Sequence, residues 1–177
     1  SLDKIGLINS LKNIILEFKF NPDLGFAEMY LNGQNVEKEI RTIEVSGFVS
    51  KVAEISEVRS KLVEQQQEMG KNKAIVMDGR DIGTVVFPDA EIKFYLEATM
   101  ELRAKRRFDE LFLIDKNITY KEVLENIKLR DNQDTNRKHS PLKKAKDAIL
   151  INTDNLTLDE LESKLFTYIN PLITKNL

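Results

Sequence analysis

Residues 77–89 read MDGRDIGTVVFPD and follow directly on the apolar run Ala74, Ile75, Val76. A short apolar run bounded by polar residues predicts a buried strand over 73–77, so Asp78, Gly79, Arg80 and Asp81 crowd its exit. Arg and Asp are rarely buried without partners, and such a cluster calls for internal pairing or for a ligand. Further along, residues 91–97 (EIKFYLE) and 148–151 (AILI) repeat the short apolar pattern with helical segments between them. That alternation predicts an α/β fold with a mainly parallel sheet. In such sheets the ligand crevice lies beyond the carboxyl ends of the strands, where Asp78, Arg80 and Asp81 would stand.

On the N-terminal side the period is helical over 2–15, where Leu2, Ile5, Ile8, Leu11 and Ile15 recur at spacings of three and four. Residues 18–20 and 27–31 read as short strands, broken by Asn21-Pro22-Asp23 and by the hairpin signal Asn32-Gly33. Helices are predicted over 42–52 and 56–69, the second started by Ser56 and stopped at Gly70. Toward the C-terminus, Thr119 with Glu122 and Thr157 with Glu160 form capping boxes. Leu158, Leu161, Leu165, Ile169 and Leu172 predict a core-facing stripe on the last helix. With no internal repeat or linker, the hairpin region reads as an insertion in one α/β unit.

The chain has 177 residues, 41% hydrophobic and 32% charged, which suits one globular domain able to bury its own core. It has no cysteine and a single histidine, His139. Disulfides, thiolate metal sites and cysteine nucleophiles are thereby excluded, and neither a histidine metal site nor a Ser/His triad is expected. No apolar stretch approaches the ~20 residues of a membrane span and no signal peptide is visible, so a cytoplasmic location is expected. The net charge of −2 is distributed unevenly: residues 101–146 hold thirteen Lys/Arg against eight Asp/Glu, or +5, leaving −7 elsewhere. Such a local excess suits a small anion better than a nucleic acid, although before any motif is considered a solvated helix face is the favoured account of it.

Two further clusters bear on that choice. In RDNQDTNR (130–137), Arg130, Asp134 and Arg137 fall at i, i+4 and i+7 and share one helix face. Two arginines flanking a carboxylate are what a nucleoside phosphate requires, but an exposed ion pair of about 0.3–0.5 kcal/mol has the same spacing. In ELRAKRRFDEL, Arg103, Arg106 and Arg107 fall at i, i+3 and i+4, which alone describes a solvated surface.

In order and spacing, GQNVEKEIRT, DGRDIGTVVFPDA, ELRAKRRFDEL and LRDNQDTNRKHSPL closely resemble bacterial cytidylate kinases, over essentially the whole chain. The resemblance implies a P-loop nucleoside monophosphate kinase-like parallel sheet flanked by helices, with a small antiparallel β insert. It implies a monophosphate-binding subdomain over 1–56, with the insert at about 18–41, and a core domain over 57–177, with a lid at about 105–130. The activity implied is transfer of the ATP γ-phosphoryl group to CMP and dCMP, with Mg2+ accompanying ATP, in a cytoplasmic monomer without nucleic-acid or membrane partners. By the same resemblance Ser50, Arg59 and Asp81 read cytosine, and Arg80 holds the CMP phosphate. Asp134 and Arg130 contact ribose, with Arg137 beside the phosphates. Asp78 supports the magnesium shell through water, and Arg103, Arg106 and Arg107 begin the lid over ATP. Arg80, Arg130 and Arg137 are the expected catalytic cations, and replacing Arg80 or Arg137 by Met should cost activity while sparing stability.

The sequence also departs from that family. None of its seven glycines lies in a GxxxxGK[ST] motif, the loop that supplies amides, a lysine and a hydroxyl to ATP phosphates and magnesium. In the family that loop precedes the point matched by Ser1, so these 177 residues alone are expected to lack kinase activity and to carry a gap in the sheet. A non-catalytic nucleotide-binding or interaction module is the alternative. Gln133 and Thr135 stand where relatives often carry arginine. An RNA-binding reading of 101–146 is weaker, since no aromatic set interleaves with its charges.

Overall fold

The computed structural model describes residues 2–175 and divides the chain into two compact units, one of residues 1–76 with 128–141 and one of residues 77–127 with 142–177. In the first unit, α1 (Lys4–Ser10) runs into a 3₁₀ turn over Leu11–Asn13. A three-stranded antiparallel sheet follows, in the order β1 (Leu16–Asn21), β2 (Phe26–Leu31), β3 (Gln34–Asn35). Leu16 pairs with Leu31 and Asn21 with Phe26, while Leu31 pairs in turn with Gln34. The β2–β3 connection is the predicted Asn32-Gly33 turn, whose φ values of +50° and +82° are those of the primed turns that match strand twist. After the sheet come α2 (Ile43–Ala53) and α3 (Ser56–Met69), with Ile55 and Val58 buried at the start of the latter.

The second unit contains β4 (Phe94–Glu97), α4 (Met100–Ile114), the first half of α5 (Tyr120–Asn136), β5 (Ile149–Asn152) and α6 (Leu158–Lys175). β4 and β5 are parallel, Phe94 opposite Ile149 and Glu97 opposite Asn152, a pairing that the long helical connection between them permits. Their core holds Val86, Ala104, Leu111, Val123 and Ile151, and Tyr168 of α6 meets Phe94 of β4 edge-to-face at 6.0 Å. The parallel α/β arrangement with a separate small antiparallel sheet is thus the architecture read from the sequence. α5 passes from one unit to the other: its residues from Lys128 onward count with the first.

Four local expectations are corrected. Residues 73–77 form no strand, and Val76 is 99% exposed. Lys73 and Ala74 adopt φ of +56° and +52° as the chain turns off the end of α3, and no neighbouring strand pairs with them among the described residues. An apolar run becomes a strand only where a ladder partner satisfies its N–H and C=O groups. The helical pattern of 2–15 stops at α1 and its 3₁₀ turn, because β1 claims the chain from Leu16. Ser56 does not cap α3: Ile55 takes that position, and the Ser56 hydroxyl bonds the Glu57 carboxylate at 2.9 Å. On α6, Leu161, Leu165, Ile169 and Leu172 are half-buried, but Leu158, in the first turn, is 83% exposed.

Both capping boxes form. The Thr119 N–H and hydroxyl donate to Glu122 Oε2 at 2.9 and 2.7 Å, and Thr157 bonds Glu160 in the same way at 2.8 and 2.9 Å. The Thr119 hydroxyl and N–H hold the Glu122 carboxyl below its usual value of 4.5. A lowered folded-state pKa stabilises the fold above the unfolded pKa, and that contribution is lost as pH falls through the lower, folded value. Thr119→Ala is therefore expected to lower the melting temperature by about 2–4 °C at neutral pH. Thermal melts from pH 7 to pH 3 should show that difference shrinking on the acid side.

Candidate functional site

α2 begins at Thr42, whose hydroxyl accepts from the Val45 N–H at 3.3 Å. The helix then turns the wrong face inward by ordinary amphipathic logic. Val45, Phe48 and Val49 are exposed at 40, 44 and 43%, whereas Ser50 is 3% exposed. A buried polar face on a helix with exposed apolar residues signals polar chemistry inside, since burying polar groups costs free energy unless they find partners.

Those partners come from the end of α5. Ser46 and Ser50 stand one turn apart on α2, and Arg130 and Asp134 stand one turn apart on α5, so the pairs meet in register. Arg130 Nη1 donates to Ser46 Oγ at 2.8 Å, and Ser50 Oγ donates to Asp134 Oδ1 at 3.3 Å. Just past the helix end, Arg137 Nη1 approaches Asp134 Oδ1 at 3.7 Å and its Nε donates to the Ser140 carbonyl at 2.6 Å. Asp134 and Arg137 are 3% and 8% exposed. The i, i+4, i+7 spacing is thus no solvated ion-pair face. It builds a buried arrangement of two arginines, one carboxylate and two hydroxyls.

Arg59 sits half-buried in the first turn of α3, its N–H bonded to the Ile55 carbonyl at 3.0 Å. Gln133 Oε1, beside Asp134, is buried without a hydrogen-bond partner, an acceptor of the kind that a ligand donor or a water would satisfy. Glu37, 8% exposed, accepts from the Met29 N–H at 2.9 Å and from Arg41 Nε at 2.8 Å, anchoring the approach to α2 on β2. Ser46 was not among the residues singled out from the sequence. Its signal was available in VSGFVS, a second serine one helical turn before Ser50.

The strand-exit cluster belongs to the other unit. Asp78 and Arg80 are exposed and Asp81 is 2% exposed. Directly after Asp81 the chain makes a π-helical turn over Ile82–Val86, in which the Asp81 carbonyl accepts from Val85 N–H at 2.8 Å and Thr84 N–H at 3.2 Å. A Cβ on Gly79 would lie 2.9 Å from Ile82 Cγ1, so only glycine lets the chain enter this turn undisturbed. Single π turns interrupt regular structure mostly at functional positions. Lys93 braces the loop from just before β4, bonding both the Pro88 carbonyl and the Asp147 carboxylate, the latter at 2.7 Å.

In the basic helix α4, Arg106 donates to the Thr153 carbonyl at 2.9 Å and to its hydroxyl at 3.3 Å. Arg107 pairs with Glu110 at 3.0 Å, and Arg103 Nε bonds the Ala98 carbonyl at 3.2 Å. The predicted site residues therefore fall into two sets. Ser50, Arg59, Arg130, Asp134 and Arg137 share the first unit, and Asp78, Arg80, Asp81, Arg103, Arg106 and Arg107 share the second. Among the described residues no group of three or more His, Cys, Asp or Glu could hold a metal ion, and no helix is long and apolar enough to cross a membrane.

The cytidylate kinase family model matches residues 2–171. The chain is 62% identical over 171 residues to a cytidylate kinase of Flavobacterium johnsoniae, covering 97% of this chain and 74% of that relative. It is 53% identical over 156 residues to one of Parabacteroides distasonis, covering 88% and 68%. A Bacteroides fragilis cytidylate kinase matches at 49% over 160 residues, covering 90% and 70%.

Proposed function

The chain belongs to the cytidylate kinase family, and on that premise we propose that it serves transfer of the ATP γ-phosphoryl group to CMP and dCMP, giving the diphosphate and ADP. The observation that carries the substrate half is the buried α2–α5 arrangement: hydroxyls, a carboxylate and guanidinium groups within bonding reach of one another, without a basic excess over the whole chain. A nucleoside monophosphate offers a partner for each. Its phosphate takes guanidinium forks, its ribose hydroxyls donate to a carboxylate, and its base edge pairs with hydroxyl and guanidinium groups.

In this assignment Arg137 and Arg80 take the phosphate, Asp134 and Arg130 the ribose, and Ser50, Arg59 and Asp81 the cytosine. Phosphoryl transfer demands in-line placement of the two nucleotides and cations around the transferred oxygens, which arginines supply. No side chain is assigned as a general base, because the attacking phosphate oxygen is already an anion. Arg103, Arg106 and Arg107 are assigned to ATP. Each already holds a carbonyl or carboxylate, so taking up a phosphate requires exchange of those partners. Cytoplasmic location and a monomeric state complete the proposal.

Mg2+ is proposed as the companion of ATP. The residues present fit an ion that keeps most of its waters and is held chiefly by nucleotide phosphates, since the carboxylate assigned to it, Asp78, stands exposed and belongs to no three-ligand cluster among the described residues. Asp78 would hold it through a water, and the ion when bound supplies positive charge to the phosphates. The experiment that tests the proposal is an assay of CDP formation from CMP and ATP by the protein purified from its own cells. CDP production supports it. CMP binding without turnover would leave the nucleotide-binding module as the reading.

A further inference from the structure

We infer that Asp134 sets the direction of the Ser50 hydroxyl, and through it the choice between a 4-amino and a 4-oxo pyrimidine. This rests on the proposed reading of Ser50 as a base-facing residue. A serine hydroxyl has one proton and two lone pairs, so alone it can donate to a carbonyl or accept from an amino group. It therefore carries no information about the base unless something fixes its proton.

In this protein something does. Asp134 lies 3.3 Å from Ser50 Oγ, and both residues are 3% exposed. Arg137 stands 3.7 Å from the same Asp134 oxygen with its side chain 3% exposed, so a guanidinium flanks the carboxylate that Ser50 meets. An ionised carboxylate only accepts, so Ser50 must be the donor and its single proton is committed to Asp134. What Ser50 Oγ has left is acceptor capacity. A cytosine amino group satisfies it, whereas a uracil carbonyl in the same place sets acceptor against acceptor with little water to intervene. Asp134, assigned to the ribose, thus acts also as a positioning residue for base selection. The i, i+4 match of Ser46 and Ser50 with Arg130 and Asp134 holds that geometry.

The test is equilibrium binding of CMP and UMP to four proteins: the unsubstituted chain, Ser50→Ala, Asp134→Asn and the double variant. A ribose hydrogen bond that disappears with the Asp134 carboxylate weakens both nucleotides alike and cancels in their affinity ratio. Asparagine can donate its amide to Ser50 and release the hydroxyl proton toward a carbonyl. Asp134→Asn is therefore expected to narrow the CMP-over-UMP ratio about five- to tenfold, as is Ser50→Ala, and in the double variant Asp134→Asn should add no further narrowing. Asp134→Ala, which removes the acceptor altogether, should move the ratio the same way and guards against misfolding of one variant. An unchanged ratio in both Asp134 variants, or equal narrowing with Ser50 present and absent, overturns the inference and leaves the base reading standing. A ratio unmoved by Ser50→Ala, or no binding of either nucleotide, overturns the base reading and the inference with it.

Discussion

In the protein purified from its own cells, Arg80→Met is expected to lower kcat/KM for CMP phosphorylation by about 100- to 1,000-fold while leaving the melting temperature nearly unchanged. Arg80 is exposed, so its replacement opens no buried cavity, whereas the loss of a guanidinium directed at a phosphate removes charge stabilisation of roughly 3–4 kcal/mol. Arg137→Met should show the same kinetic loss together with a clear loss of stability, which amends the expectation from sequence that both variants would be equally stable. Arg137 is 8% exposed, pairs with Asp134 and donates to the Ser140 carbonyl, and its removal leaves a buried carboxylate with one cation fewer. Breaking a buried pair from one side typically costs about 3–5 kcal/mol. Melts and kinetics on the same preparations separate the two arginines. A stable Arg137→Met, or a destabilised and fully active Arg80→Met, would reverse the assignment.

Asp81→Ala is expected to lower activity on CMP at least about tenfold more than activity on UMP. Asp81 is 2% exposed on the rim of a π turn that fixes its backbone through the Val85 and Thr84 N–H groups. A buried carboxylate on a backbone so fixed suits the amino group of cytosine and opposes the 4-carbonyl of uracil. Any loss of folded enzyme depresses both activities equally, so the ratio of kcat/KM values is the quantity to read. An equal loss on both substrates would assign Asp81 to the fold or to the phosphates.

Much of this was legible in the sequence for physical reasons. Asn32-Gly33 dictates its turn because few other residues accept positive φ twice in succession. Thr119 and Thr157 start their helices with local hydrogen bonds that need no tertiary partner. The face shared by Arg130, Asp134 and Arg137 follows from helical geometry alone. What could not be read depends on partners distant in the chain. Ala74-Ile75-Val76 has the composition of a strand, but composition does not show whether another strand will stand beside it. Ser46 resembles any helix serine until Arg130, 84 residues away, bonds to it. The inverted face of α2 was hidden for the same reason: Val45, Phe48 and Val49 have the look of core residues, and only the burial of Ser50 among charged partners shows which side faces inward.

The central claim is that the Ser50, Asp134 and arginine arrangement is a cytidine monophosphate site, and titration of the 177-residue chain with CMP, UMP, AMP and GMP tests it most directly. Saturable binding of CMP is expected, with CMP favoured over UMP by at least about tenfold and over both purine nucleotides. Equal affinity for all four, or preference for a purine nucleotide, would contradict it.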